Sequence, residues 1–199
     1  MTEVIVGGLA FLLFIIYDLE QAGVFRKRFH KFVRLFFLLG FVFLAFSTIR
    51  IAGLQAAACT SWTLHAVVFL GCALCFLLLL IYTLFFALPF QETYVVQNVG
   101  HKVCAQGMYA LCRHPGVLWF TGFYLSLWFA LGGFRLFCIA LWYSCLNLCY
   151  VIFQDCYTFP KIFLDYGHYK QQVPFLIPNR KSVQQCLSTL RKAGDVREI

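Results

Sequence analysis

Five long apolar runs constrain the fold of this chain more than any other feature of its sequence. At 1.5 Å per helical residue, four of them are about long enough to cross a bilayer, and the first is shorter. A backbone inside lipid must satisfy its own hydrogen bonds, and runs of this length do so as helices. The sequence therefore predicts an all-α integral membrane protein with about five transmembrane helices, over residues 4–17, 33–54, 64–90, 117–134 and 136–152.

The composition excludes a soluble domain. Hydrophobic residues make up 62% of the chain and charged residues 12%, whereas a soluble domain is roughly 45–50% apolar. The ten cysteines are spread through apolar runs, which is typical of small buried side chains rather than of a disulfide framework. Cys72 and Cys75 have the spacing of a metal or redox pair but lack a second pair, so no metal site is predicted.

The distribution of positive charge predicts a topology. Placing residues 18–31, residues 91–114 and the C-terminal tail on one side assigns to that side all of the sixteen Lys and Arg residues except Arg50 and Arg135. The positive-inside rule then makes that side cytoplasmic, with the N-terminus outside and the C-terminus in the cytoplasm. The net charge of +8 is thus interpreted as topology and contact with anionic membrane lipids, and no nucleic-acid partner is predicted.

The chain is predicted to form one transmembrane domain, residues 1–178, followed by a polar, basic tail, residues 179–199. The tail lacks the apolar content of another membrane span. It is expected either to form an amphipathic surface helix around residues 183–190 or to be disordered. The small residues Gly116, Gly122, Gly132 and Gly133 fit close helix packing within one chain or between two, so the oligomeric state stays open.

A charged turn between the third and fourth runs marks a candidate site. Pro115 favours the first turn of a helix, so His114 is expected at a helix mouth, where anions bind well. The short Gly132-Gly133 connection makes the fourth and fifth helices antiparallel neighbours. Arg113 and His114 should therefore lie near Gln154 and Asp155, and an ion pair that serves only stability is the alternative interpretation.

Two sequence blocks resemble the isoprenylcysteine carboxyl methyltransferase and phospholipid methyltransferase superfamily. The family's first block, Gly-x-Tyr followed by Arg-His-Pro, is matched by Gly107, Tyr109, Arg113, His114 and Pro115. Its second block is an acidic pair closing a membrane helix, then Tyr-x-x-Tyr, Val-Pro and another Pro. The matching residues are Gln154, Asp155, Tyr166, Tyr169, Val173, Pro174 and Pro178. The resemblance covers residues 88–178.

The resemblance implies S-adenosylmethionine-dependent methyl transfer at the cytosolic membrane face, with a lipid-like or small hydrophobic acceptor arriving from the bilayer. His114, Arg113 and His168 are the implied catalytic residues, because histidine titrates near neutral pH and a protonated acceptor needs a base. An interfacial histidine in water is the alternative for His168. The implied cofactor-binding residues are Gly107, Tyr109, Arg113, His114, Pro115, Gln154, Asp155, Tyr166 and Tyr169. An interfacial aromatic belt is the alternative for Tyr166 and Tyr169.

The chain also departs from the family pattern. Val117 and Trp119 replace a Tyr and a Gly after Pro115, Phe163 replaces a Gly, and Gln154-Asp155 replaces Glu-Glu. Changing Gln154 to Glu is accordingly expected to strengthen cofactor binding. These departures keep two other interpretations open: a membrane reductase that uses NADPH, and a non-catalytic membrane protein that retains the methyltransferase fold.

Overall fold

The computed structural model describes residues 2–25, 32–58, 63–87 and 103–195, and within these residues the chain is helical without a β-strand. The first three helices are long and apolar, and the later part of the chain alternates long and short helices. In chain order they are α1 (Thr2–Gln21), α2 (Val33–Ala57), α3 (Leu64–Phe85), α4 (Met108–Leu111), α5 (Pro115–Leu131), α6 (Phe134–Phe153), a π-helical turn (Gln154–Thr158), α7 (Phe159–Ile162), α8 (Tyr166–Gln172) and α9 (Arg180–Asp195).

Four of these segments are long and apolar enough to cross a membrane: Thr2–Gln21, Val33–Ala57, Leu64–Phe85 and Phe134–Ile162. The prediction of an all-α membrane protein is thus confirmed at this level. The fourth predicted span, residues 117–134, corresponds to α5, which is apolar but has 17 residues, or about 25 Å of helix. The third predicted span extended to residue 90, whereas α3 ends at Phe85, and residues 88–90 lie outside the described residues.

The long helices run alternately up and down. Gly132 and Gly133 connect α5 to α6 with positive φ angles of 68° and 85°, which favour glycine, so the predicted tight connection is confirmed. The end of α3 meets the start of α5, where the Trp119 indole donates to Thr83 Oγ1 at 3.1 Å. Helices α1 and α6 run parallel, because α1 contacts α6 through Glu3 at one end and the π-helical turn through Asp18 at the other.

Aromatic side chains fill the centre of the bundle. Tyr124 and Tyr143 are each about 1% exposed or less and meet edge to face with ring centroids 5.3 Å apart. Their hydroxyls bond to side chains of α2, Thr48 at 2.5 Å and Ser47 respectively. By contrast, large apolar side chains on the outside of α2 and α3 are exposed, as expected of surfaces that face lipid.

The C-terminal tail forms an amphipathic helix, which is one of the two outcomes expected from its sequence. Asn179 and Ser182 cap its start reciprocally, since each side-chain oxygen accepts the backbone N–H of the other at 2.9–3.0 Å. The buried side of α9 packs on α4, and Thr189 Oγ1 accepts the backbone N–H of Gly107 at 3.0 Å. The tail therefore supports the segment that leads to Arg113 and His114.

Candidate functional site

The first sequence block forms a bend followed by a helix mouth. Gly107 has a φ of 55°, a left-handed conformation that favours glycine, and precedes the single turn of α4. The chain is extended at Cys112 and re-enters a helix at Pro115, the first residue of α5. His114 caps this helix, so its predicted place at a helix mouth is confirmed.

Arg113 joins the two blocks. Its Nη1 donates to the carbonyls of Lys170 and Val173 at 2.9 and 3.2 Å, and its backbone N–H donates to the carbonyl of Pro174 at 2.9 Å. Its Nε lies 2.9 Å from Asp155 Oδ1, close enough for an ion pair although the N–H is not aligned for a hydrogen bond. Arg113 thus anchors the end of α8 while it pairs with the carboxylate.

Asp155 is the centre of the site. It is 4% exposed and lies in the π-helical turn, a conformation often found at functional sites. Tyr166 donates to its Oδ1 at 2.6 Å, His114 Nε2 lies 3.3 Å from the same oxygen, and Lys170 Nζ lies 2.8 Å from Oδ2. We call Arg113, His114, Asp155, Tyr166 and Lys170 the Asp155 cluster.

The cluster carries an excess of positive charge. Burial lowers the pKa of His114 below its usual value, an effect that the nearby Asp155 carboxylate partly offsets, so the ring is neutral at neutral pH. Burial and the bond to Asp155 raise the pKa of Tyr166, which therefore stays protonated as a donor. Within the cluster, two cations, Arg113 and Lys170, thus face the single carboxylate of Asp155.

Aromatic rings enclose His114. Phe159 stacks on the imidazole at 5.8 Å with the planes 12° apart, and Phe175 meets it edge-on at 5.2 Å. The Arg113 guanidinium also lies over the Phe175 ring at 5.5 Å. These rings exclude water from one side of the cluster, which strengthens the charged contacts.

Gln154, the neighbour of Asp155, points elsewhere. Its amide nitrogen donates to Asp18 Oδ2 on α1 at 2.8 Å and to the Tyr150 hydroxyl at 2.9 Å. The structure therefore does not join Gln154 to the Asp155 cluster. The expectation that Gln154→Glu strengthens cofactor binding no longer follows, because the new carboxylate would face that of Asp18.

Two of the predicted tyrosines support the site without joining the cluster. The Tyr109 hydroxyl donates to the carbonyl of Thr83 at 3.1 Å, and the Tyr169 hydroxyl donates to the carbonyl of Tyr109 at 2.7 Å. Tyr169 is 5% exposed, and burial raises its pKa. These bonds link α3, α4 and α8, so Tyr109 and Tyr169 hold the first block in place.

His168 does not reach the cluster either. Its side chain is exposed on α8, and its Nε2 lies 2.8 Å from the amide nitrogen of Gln172 in the same helix. Of the residues that departed from the family pattern, Trp119 stacks on Phe76 at 6.3 Å, and Phe163 packs against Tyr166 and Val173. These aromatic residues therefore have packing roles beside the site.

Lys170 was not among the predicted site residues, although its Nζ lies at Asp155. One signal was present: Lys170 follows Tyr166 by four residues, which places the two on the same face of a helix. Phe159 and Phe175 were also missed, since neither has a polar group that would single it out. Asp18 begins the polar segment that follows the first apolar run, and it belongs to no motif.

No family model matches the chain, and no curated protein and no solved structure matches it.

Proposed function

We propose that this protein transfers a methyl group from S-adenosylmethionine to a lipid-like or small hydrophobic acceptor. One observation supports the proposal above the others. His114 and Asp155 belong to sequence blocks separated by about 40 residues, yet their side chains meet in one buried cluster. The pairing of Arg113 with Asp155, which alone would fit a structural ion pair, is accompanied by a neutral histidine and a second cation.

The side chains of the cluster fit the chemistry of the cofactor. S-adenosylmethionine carries a carboxylate, an ammonium group, ribose hydroxyls and a sulfonium. Lys170 suits the carboxylate, because its side chain is 36% exposed, against 10% for Arg113, and can exchange its contact with Asp155 for a ligand. Asp155 suits the ammonium or hydroxyl groups, and the rings of Phe159 and Phe175 suit the sulfonium.

The bound cofactor would supply an electrophilic methyl group, and the protein residues align the reactants, exclude water and provide a base. Arg113 and Asp155 are held by several bonds each, so the cluster is organised before a ligand arrives. Phe159 and Phe175 keep water from His114. A neutral imidazole is the form that accepts a proton, so His114 is the base when the acceptor arrives protonated.

We further propose that α5 is a fifth membrane span and that the cluster faces the cytoplasm. The ends of α3 and α6 and the start of α5 lie at the same end of the bundle as Asp18. The basic tail helix packs at this end too. A C-terminal fusion to a reporter that is active only in the cytoplasm tests the orientation, and an inactive reporter beside an active N-terminal fusion would reverse it.

The function is tested by calorimetric binding to the purified protein in nanodiscs. We expect S-adenosylmethionine and S-adenosylhomocysteine to bind saturably and NADPH not to bind. Lys170→Gln should weaken binding of the adenosyl ligands about tenfold, the equivalent of one charge-assisted hydrogen bond. Lys161→Gln is the matched control, because Lys161 lies on the Tyr157 ring at 3.6 Å, away from Asp155.

The other outcomes separate the remaining interpretations. Binding of NADPH alone would favour a membrane reductase. Binding of none of the three ligands by folded protein would favour a non-catalytic protein that retains the fold. Equal losses in Lys161→Gln and Lys170→Gln would place the ligand outside the Asp155 cluster.

A further inference from the structure

Asp18 is a buried carboxylate near the end of α1, a mainly apolar helix. It is 4% exposed and lies in the last turn of α1, a candidate membrane span. Both features are costly, because burial disfavours a polar group without a partner and a helix C-terminus disfavours negative charge. An ionisable group inside a membrane span usually has a function, and the residue that it contacts indicates which function.

That residue is Gln154. Its amide nitrogen has two hydrogens, and both are used, one by Asp18 Oδ2 at 2.8 Å and the other by the Tyr150 hydroxyl at 2.9 Å. With both hydrogens engaged, the orientation of the Gln154 amide is fixed by Asp18 on α1 and by Tyr150 on its own helix.

Gln154 is also the residue at which the helix changes its hydrogen-bond pattern. Its N–H contacts the carbonyls of Tyr150 and Val151, as in the α-helix before it. Its carbonyl instead accepts the N–H of Phe159, five residues later, which is the bond of a π-helix. One inserted residue rotates the side chains that follow by about 100°. The direction of Asp155 therefore depends on where this wide turn begins.

We propose that Asp18 is a positioning residue: by holding Gln154 it fixes the start of the π-helical turn and so directs the Asp155 carboxylate toward Arg113 and His114. Helix α1 carries no residue of either sequence block, yet it is in this way a part of the site. The consequence for methyl transfer rests on the proposed function, whereas the positioning itself rests on the geometry alone.

A purely structural tie between α1 and α6 is the competing explanation, and the chain offers a matched control for it. Glu3 pairs with Arg135 at 2.6 Å and also ties α1 to α6, at the opposite end of the bundle. Arg135→Gln should loosen the two helices without reaching the Asp155 cluster. If the contact between Asp18 and Gln154 only stabilises the fold, its loss and the loss of the Glu3–Arg135 pair should affect the Asp155 cluster equally.

The test measures the pKa of His114 by NMR on histidine-labelled protein in nanodiscs, with the signal assigned by its loss in His114→Gln. The groups that face this imidazole are Asp155, which raises its pKa, and Arg113 and Lys170, which lower it. Asp18→Leu removes the acceptor for Gln154 and should lower the pKa of His114, because Asp155 turns away. Asp18→Asn keeps an acceptor oxygen and should restore the pKa of the unmodified protein.

A second variant guards against failure of Asp18→Leu to fold. Gln154→Met removes the same bond from the other side with an unbranched side chain and should lower the pKa of His114 as well. An unchanged pKa in Asp18→Leu or Gln154→Met would overturn the proposal, and so would an equal shift in Arg135→Gln. A lowered pKa with unchanged affinity for S-adenosylmethionine would support the positioning role and contradict the proposed function.

Discussion

The two ends of the helix bundle are held by polar networks that differ in the number and exposure of the cations on their central carboxylates. At one end, Glu3 pairs with Arg135, and its carbonyl accepts the hydroxyls of Tyr143 and Ser47 at 2.6 and 3.1 Å. The cation that pairs with the Glu3 carboxylate there, Arg135, is half exposed. At the other end, the single carboxylate of Asp155 meets two cations and a neutral histidine.

The difference indicates which end is built for a ligand. An ion pair with one member in water stabilises the fold slightly. At Asp155 two cations share one carboxylate, and Lys170, whose side chain is 36% exposed, can pair with an anionic ligand while Arg113 stays with Asp155. The Glu3 end therefore fits a structural role, whereas the Asp155 end fits the binding of an anionic group.

The largest effect is expected from Asp155→Asn. The change leaves Arg113 and Lys170 without their shared carboxylate, and loss of one partner from a buried ion pair costs about 3 kcal/mol. We expect a drop of this order in the free energy of unfolding, together with loss of detectable binding of S-adenosylmethionine. Denaturant unfolding in detergent and calorimetry measure the two quantities.

Glu3→Gln is the corresponding change at the other end. It should cost about 1 kcal/mol or less, because Arg135 is half exposed, and it should leave cofactor binding unchanged. If the two variants lose equal stability and equal affinity, the proposed difference between the ends is wrong.

A smaller effect is expected from Tyr166→Phe. The variant keeps the ring but removes the hydroxyl that donates to Asp155 at 2.6 Å. A hydrogen bond to a charged group contributes about 2 kcal/mol, and a bond between neutral groups about 1 kcal/mol. Tyr169→Phe, which removes a hydroxyl that donates to the neutral carbonyl of Tyr109, should therefore destabilise the fold less in the same unfolding assay.

The hydrogen bond between the tail helix and Gly107 should contribute about 1 kcal/mol to the free energy of unfolding. Thr189→Val removes the acceptor for the Gly107 N–H while keeping the shape of the side chain. Thermal unfolding should show a lower midpoint for this variant. Ser188→Ala is the control, because Ser188 is exposed and bonds only within α9, to the carbonyl of Gln185. Equal midpoints for both variants would mean that the hydrogen bond from the tail helix to Gly107 does not stabilise the protein.

The smallest effect is a dependence on pH. Because the pKa of His114 is lowered in the folded protein, the unfolded chain binds the proton more readily. Stability from this group is complete above about pH 6.5, the usual pKa, and is lost as the pH falls through the lowered value. Unfolding midpoints measured across this range should fall less in His114→Gln than in the unmodified protein. A parallel fall in both proteins would mean that His114 titrates as it does in the unfolded chain.

The membrane character of the fold was predictable from the sequence because it depends on local properties. Apolar runs near the length of a bilayer determine helices whatever their neighbours, and Gly132-Gly133 and Pro115 mark boundaries through their backbone preferences. The meeting of Arg113 and His114 with Asp155 was predictable for a related reason. A two-residue connection leaves two helices little choice but to lie antiparallel.

The direction of each side chain was decided by the tertiary structure. Gln154 and Asp155 are adjacent in the chain, yet one bonds to α1 and the other to Arg113 and Lys170. His168 and Lys170 are two positions apart in one helix, and of these two only Lys170 faces the site. Helical periodicity assigns relative directions but not which face meets a partner. The wide turn at Gln154, which breaks that periodicity, depends on a contact with a helix more than 130 residues earlier in the chain.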